Sequence, residues 1–414
     1  MSDRAMVIVG AGEAGYRAAA ELRSQGWAGG ITLIGQEREY PYERPPLSKE
    51  VLTQGGEPVP VSITSADVLA QFNIRLISGT AAARIDRTGH IVYLATGEQV
   101  PYERLLLATG AVPRVLSVSG SGTGGALYLR RFSDAVAIRE RLQSGKRIAI
   151  IGGGFIGLEV AASAIARGCR VELIEAAPRI LMRGVPEAIG EIVEARHRKA
   201  GVEFRIGSAI ERIERDGEQY IIWLANGTNS VCDTLIAGVG AVPDTALAEA
   251  SGLEIDNGIK VNELLMTSDP DIFAAGDCCS FPHPLYGGRR IRLESWRNAQ
   301  DQGLHAAGNM LGAFTPYASI PWFWSDQYEQ TLQVAGLSEG ADRVVIRDLG
   351  ETGKLYFHLA PEGRLLAVSG IGAGGALSKE IRLAERLIEK QAVPDPEQLA
   401  DSGHRLKDLL RVNN

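Results

Sequence analysis

Cysteine is scarce: the chain of 414 residues has four, Cys169, Cys232, Cys278 and Cys279. Two of them are adjacent, so they make no disulfide framework, which points to a reducing, cytoplasmic compartment. Long apolar runs are also missing. No stretch approaches the roughly 18 consecutive apolar residues of a membrane-crossing helix. After Met1-Ser2-Asp3-Arg4 the apolar run reaches only from Ala5 to Val9, and no cleavage-site pattern follows, so no signal peptide is expected. Positive charge is not in excess: 43 Lys and Arg face 50 Asp and Glu, a net charge of −7. That balance argues against a protein whose main partner is nucleic acid or an anionic membrane. The six histidines (His90, His197, His283, His305, His358 and His404) lack ligand spacing with cysteine or acid partners, and no metal centre is expected. His283, between Pro282 and Pro284, reads as a loop residue.

What is present in surplus is glycine. Forty-nine glycines are roughly 12% of the chain, against about 7% in average proteins. Such a surplus marks places where backbone must approach something closely or take a positive φ. Met6-Val7-Ile8-Val9 reads as a buried strand, followed by Gly10-Ala11-Gly12-Glu13-Ala14-Gly15, a helix from Tyr16 to Ser24, and a second strand, Ile31-Thr32-Leu33-Ile34. The same order recurs 142 positions on. Strand Ile148-Ala149-Ile150-Ile151 leads to Gly152-Gly153-Gly154-Phe155-Ile156-Gly157, a helix from Leu158 to Arg167, and a strand ending at Glu175. A lone GxGxxG is weak evidence, but one set between strand and helix is strong, and here it occurs twice.

The repeat runs beyond the fingerprints. Gly79-Thr80 to Gly89 parallels Gly207-Ser208 to Gly217, and Leu106 to Pro113 parallels Ile236 to Pro243, both ending in Ala-Val-Pro. One nucleotide-binding domain is used twice. Gly10 to Gly79 spans 69 positions and Gly152 to Gly207 spans 55, so the first copy carries 14 extra residues. The candidate insertion is Tyr40-Pro41-Tyr42-Glu43-Arg44-Pro45-Pro46-Leu47-Ser48-Lys49, a long loop of the kind that is usually functional.

Each GxGxxG supplies a tight turn, a bare backbone face for pyrophosphate and a helix N-terminus aimed at the phosphates. Two such sites imply two dinucleotides, and one flavin with one nicotinamide is the productive combination. In the second copy Glu175 suits an adenosine ribose and repels a 2′-phosphate, favouring NADH; Arg179 and Arg183 stand close enough to favour NADPH instead. In the first copy the corresponding place holds Gly35, with Gln36-Glu37 beyond, and the insertion brings Arg44 and Lys49. The first copy is therefore read as the FAD site. The strand Ile272-Phe273-Ala274-Ala275 ends in Gly276-Asp277, where an acidic side chain can reach a ribityl hydroxyl.

The order GxGxxG, Arg-Pro-Pro-Leu-Ser-Lys, Ala-Thr-Gly, GGGxxGxE and Ile-Phe-Ala-Ala-Gly-Asp-Cys resembles the FAD/NAD(P) flavoproteins related to glutathione reductase. Within them it resembles the NADH-dependent ferredoxin reductases, the family of putidaredoxin and rhodocoxin reductases and of the reductase components of biphenyl-type dioxygenases. The likeness extends to Pro321-Trp322-Phe323-Trp324-Ser325-Asp326-Gln327, and Glu294-Ser295-Trp296 leans toward the dioxygenase type. Gln36, where relatives often have aspartate, is a departure.

The resemblance implies an α/β fold of two Rossmann-like, three-layer domains plus a smaller α+β C-terminal domain. Its expected boundaries are 1–111 with 241–318 for FAD, 112–240 for NAD and 319–414 for the C-terminal domain. Beside Gly10, Gly12, Gly15, Gly110 and Gly276, it implies FAD contacts from Glu37, Arg44, Lys49, Ala82, Arg130, Asp277 and Trp296. It implies NADH contacts from Gly152, Gly154, Gly157, Glu159 and Glu175. Hydride passes from NADH to the flavin N5, and electrons leave singly to a [2Fe-2S] ferredoxin serving a Rieske dioxygenase or a cytochrome P450. Lys49 would stabilise the reduced ring and Glu159 place the nicotinamide.

Relatives that reduce disulfides carry a CxxxxC or CxxC dithiol, which is missing, and residues 36–60 hold no reactive cysteine. Two other readings remain: an NADH-responsive interaction protein like apoptosis-inducing factor, and an NADH oxidase without thiol chemistry. Arg289, Arg290 and Arg292 are the expected docking patch for an acidic ferredoxin, in a monomer or homodimer.

Overall fold

A computed structural model describes residues 5–120, 125–182 and 184–412, so Met1–Arg4 and Arg183 lie outside the described residues. The chain divides into two compact units. One comprises Met1–Arg44, Pro60–Val112 and Ala241–Pro321, the other Pro45–Val59, Pro113–Gly240 and Trp322–Asn414.

Uninterrupted Val, Ile and Leu runs suit strands buried on both faces. In the first unit Ala5–Val9 pairs in parallel with Ile31–Ile34 on one side and with Gln99–Leu107 on the other. Ile74–Ile77 extends the sheet beyond Ile31–Ile34. Ile272–Ala274 adds a further parallel strand, with Phe273 opposite Leu106. Gln99–Leu107 changes character along its length. Its first residues alternate exposed and buried and pair antiparallel with Ile91–Leu94, whereas Leu105, Leu106 and Leu107 are fully buried in the parallel part. Helices Glu13–Ser24 and Trp296–Met310 meet backbone to backbone: a Cβ on Gly303 would stand 2.3 Å from the Ala14 carbonyl oxygen.

The second unit repeats this plan. Glu203–Ile206, Arg170–Glu175, Arg147–Ile151, Thr234–Ala237 and Ala126–Leu127 form a parallel sheet in that order. Val9 faces Ile34 in the first sheet as Ile151 faces Ile174 in the second, so the sequence repeat is also a repeat of register. The unit also holds an antiparallel sheet, ordered Trp322–Gln327, Gln330–Gly336, Leu365–Ala373, Gly353–Leu359 and Arg343–Asp348. Helix Ser378–Glu389 covers it with Ile381, Ala384, Leu387 and Ile388, spaced along one helical face. Arg347 is 2% exposed and donates to the carbonyls of Gln398, Leu399, Asp401 and His404, tying the last segment to the sheet edge.

The expected α/β architecture is the one observed, with two corrections of detail. His283 is not a loop residue: it ends strand Cys279–His283, fully buried, with Nε2 at 3.0 Å from the Ser319 carbonyl oxygen. The insertion is not one loop either. Tyr42 bridges to Ser62 within the first unit, while Pro45–Val59 groups with the second. Among the described residues, no helix is long and apolar enough to cross a membrane.

Candidate functional site

The three glycines of each fingerprint serve three different ends. Gly10 and Gly152 take φ of +114° and +104°, and a Cβ on either would stand 2.0 Å from the Ala108 carbonyl oxygen or 2.4 Å from that of Gly238. Gly15 and Gly157 bring the helix onto the turn, since a Cβ would stand 1.9 Å from the Gly10 oxygen or 2.1 Å from the Gly152 oxygen. Gly12 and Gly154 differ. Their φ values are −86° and −81°, and a Cβ at either would meet nothing within 4 Å. The protein's own packing does not require them. No side chain caps either helix there, so unpaired N–H groups border an open space, the condition a pyrophosphate needs. Both turns fit a dinucleotide on this evidence.

In the first unit Glu37 lies just past strand Ile31–Ile34, where Tyr42 Oη donates to Oε2 at 2.5 Å and Arg44 to Oε1 at 2.8 Å. Burial pulls the Arg44 guanidinium down, but Tyr42, Glu37 and Asp277 outweigh it and raise its pKa further. Asp277 thus belongs to the same charge group, with Arg292 donating to its carbonyl at 3.1 Å. Gly276, at φ +83°, donates to the Gln302 side chain at 2.8 Å. Gly110, at φ +75°, accepts from Asp244 N–H at 2.9 Å. Ala82 opens strand Ala82–Asp86, half-buried. Trp296 opens its helix behind the Ser295 cap, and its side chain favours the ionised form of the Glu13 carboxyl. Sequence reasoning passed over Glu13, a variable position of the motif. Burial raises its pKa against the pull of Arg17, and its Oε2 has no hydrogen-bond partner.

In the second unit Glu175 turns back onto the glycine turn. Its Oε2 accepts from Gly153 N–H and its Oε1 from Ala177 N–H, both at 2.6 Å. A carboxylate has about four acceptor positions, so the outer ones remain for ribose hydroxyls. Arg179 is committed to the carbonyls of Ile180, Met182 and Val185, which removes it as a ready partner for a 2′-phosphate.

Lys49 and Glu159 form an ion pair at 3.0 Å, with side chains 18% and 5% exposed. Ser48 Oγ donates to Glu159 Oε2 at 2.5 Å and Ser325 Oγ to Oε1 at 2.6 Å. Ser163, one turn on from Glu159, donates to the Ser48 carbonyl at 2.7 Å and fixes the short Pro45–Ser48 turn. Neither serine was foreseen as a partner of Glu159. Arg130 also belongs to this unit, its N–H donating to Asp134 at 3.0 Å ahead of helix Phe132–Arg141. The two cations of the insertion pair with different carboxylates, Arg44 with Glu37 and Lys49 with Glu159. Phe155 meets Phe323 edge-on at 5.0 Å, and Trp322 stacks on Trp324 at 5.3 Å.

The docking cations are largely engaged. Arg290 donates to the carbonyls of Val261 and Ser280, and Arg292 to that of Asp277 and to Glu294. All four cysteines are buried and free. Burial pushes the Cys232 thiol up to about 12 and raises Cys169, Cys278 and Cys279 as well, the reverse of a reactive thiolate.

Residues 4–303 match the family model of the pyridine nucleotide-disulphide oxidoreductases, and residues 322–410 match the reductase C-terminal model. The anthranilate 1,2-dioxygenase system ferredoxin–NAD(+) reductase component of Burkholderia cepacia is 39% identical over 413 residues, 99% of this chain and 100% of its own. A rubredoxin–NAD(+) reductase of Pseudomonas putida is 38% identical over 385 residues, 92% of this chain and 100% of its own. The crystal structure of the covalent putidaredoxin reductase–putidaredoxin complex matches with a TM-score of 0.92 and 38% identity, covering 100% of this chain and 99% of that one. With the glycine cradles, the buried thiols and this full-length likeness together, the chain belongs to the pyridine nucleotide-disulphide oxidoreductase family, as an FAD- and NADH-using reductase of the ferredoxin reductase type.

Proposed function

We propose that this protein takes a hydride from NADH and passes the electrons one at a time to a [2Fe-2S] ferredoxin that serves an oxygenase in the cytoplasm. The observation that carries this reading is the pairing of two open glycine cradles with four buried, unbridged thiols. No thiol relay stands between cofactor and acceptor. FAD, when bound, accepts the hydride and releases its two electrons singly.

The chain's own residues bind, orient and exclude water. The turn from Gly10 to Gly15, with Glu37, Arg44, Ala82, Gly110, Asp277 and Trp296, holds the flavin nucleotide; residues 1–111 and 241–318 are its domain, and Arg130 is a further contact from the chain that follows. The turn from Gly152 to Gly157 with Glu175 holds NADH, residues 112–240 being its domain and 319–414 the C-terminal one. Lys49 holds the flavin edge, where its charge would stabilise the reduced ring, and Glu159, paired with it, places the nicotinamide. Ferredoxin docks on the hairpin of Arg289, Arg290 and Arg292. Arg289→Glu is one probe of this patch. It should raise KM for ferredoxin and spare NADH–ferricyanide activity.

Ferredoxin-dependent reduction of cytochrome c by NADH tests the whole reading. Turnover that rises with added [2Fe-2S] ferredoxin supports it. Flavin reduction that stalls after one equivalent of NADH points to the redox-responsive interaction protein, and turnover with rubredoxin alone reassigns the acceptor.

A further inference from the structure

A chain of side-chain hydrogen bonds crosses the second unit and ends on Glu159. Tyr328 Oη lies 3.2 Å from His197 Nδ1, and His197 Nε2 lies 2.8 Å from Gln327 Oε1. Gln327 Nε2 lies 3.0 Å from Ser325 Oγ, which lies 2.6 Å from Glu159 Oε1. His197, Ser325, Glu159 and Gln327 are all buried. His197, Gln327 and Tyr328 are not among the residues assigned to either nucleotide, and a buried run of polar groups is costly unless every member is satisfied.

The chemistry of the groups leaves one sense for the whole chain. An ionised Glu159 only accepts, so Ser325 must give it its single hydroxyl proton. Ser325 Oγ then accepts, which turns the NH2 of Gln327 toward it and the amide oxygen toward His197. An amide oxygen only accepts, so His197 carries its ring proton on Nε2. Its bare Nδ1 must then receive the Tyr328 hydroxyl. Four dipoles in series point at one carboxylate.

We infer that Ser325, Gln327 and His197 are positioning residues that hold the Glu159 carboxylate in one rotamer, and through it fix the ammonium group of Lys49. This rests on reading Lys49 at the flavin edge and Glu159 at the nicotinamide. Ser48 completes the arrangement from the other carboxylate oxygen. Burial lowers the His197 pKa to about 4, so the ring stays neutral and its tautomer can carry the direction. The far end is anchored as well. Tyr328 sits at φ +56° in the hairpin between Trp322–Gln327 and Gln330–Gly336, a conformation a side-chain-bearing residue adopts at a cost. Arg196 lies over its ring at 4.0 Å and grips Glu329 at 2.7 and 2.8 Å.

Two measurements on the FAD-loaded protein test the inference. In the wild type, nitrogen NMR of labelled histidine should show His197 as the Nε2–H tautomer, and an Nδ1–H tautomer overturns the assigned sense. In stopped flow, Ser325→Ala should slow flavin reduction at saturating NADH by roughly tenfold, the scale of one charge-assisted hydrogen bond. Ser325→Thr, which keeps the hydroxyl, should restore most of it. A Ser325→Ala protein that melts lower but reduces its flavin at the wild-type rate overturns the positioning role. Wild-type protein that NADH does not reduce at all refutes the broader reading of function, a distinct outcome.

Discussion

Gly154 and Gly152 stand two residues apart, and replacing each with alanine should break different things. At Gly154 the backbone is extended, with φ −81° and ψ 179°, and a Cβ meets nothing within 4 Å. Alanine there narrows the unfolded ensemble, stabilising by about 0.4–1 kcal/mol. It is also a poorer helix N-cap than glycine, by a comparable amount. The net change in stability should stay within about 1 kcal/mol, a melting shift of no more than about 3 °C. The new methyl does fill the space next to the free N–H groups, so NADH should bind between about 10- and 100-fold more weakly, or about 1.4–2.7 kcal/mol. At Gly152 a Cβ would stand 2.4 Å from the Gly238 oxygen at φ +104°. Backbone strain alone there costs about 1–3 kcal/mol, before the clash is counted. Steady-state ferricyanide reduction gives KM for NADH, and thermal unfolding gives stability. Flavin absorbance reports FAD content, which Gly154→Ala should leave at the wild-type level. An unchanged KM in Gly154→Ala would refute the cradle, and a melting loss as large as that of Gly152→Ala would make Gly154 a structural glycine.

Three further outcomes are expected. Glu175→Ala should narrow the preference for NADH over NADPH without reversing it, because Arg179 stays bound to three backbone carbonyls; an unchanged ratio of kcat/KM values speaks against Glu175 as the ribose partner. Arg347→Met leaves four backbone carbonyls without their donor, that of Leu399 buried and the others partly so, and should cost about 3 kcal/mol or more, read as a lower urea midpoint; a loss below about 1 kcal/mol would mean that water replaces the guanidinium. Burial lowers His197 and His358 from 6.5 to about 4. Between those values the unfolded chain binds more protons, so stability is full above 6.5 and falls as pH drops toward 4, by up to about 3 kcal/mol per histidine. Urea midpoints that do not fall between about pH 7 and about pH 5 would contradict this, and His358→Gln should flatten the fall.

Features set by neighbours in sequence were legible there. The Gly10 and Gly152 turns follow from short-range spacing, and so does each strand that feeds them. The repeat of Leu106 to Pro113 in Ile236 to Pro243 anticipated two sheets of one plan. Long-range side-chain pairing was not legible. Glu159 takes its partners from Ser48 and Ser325, 111 and 166 positions away, and nothing local to those serines marks them. The partners of several arginines were hidden for a related reason. Arg179, Arg290 and Arg292 are each held by backbone carbonyls that only the folded loops bring to them. The insertion was seen as one segment, and the break between Arg44 and Pro45 becomes visible only when each side is packed on its own core.

The chain passes between its two units five times, so neither is a continuous stretch. This bears on biosynthesis. The first glycine turn is made at the outset, but strand Ile272–Ala274 and the helix beginning at Trp296 complete its surroundings only some 286 residues later. At about 5–20 residues per second a ribosome needs on the order of 15 to 60 s to cover that interval. On the proposed assignment of this turn to FAD, flavin capture is a late event in the life of a nascent chain, and a product that terminates before Trp296 has no complete flavin unit to load.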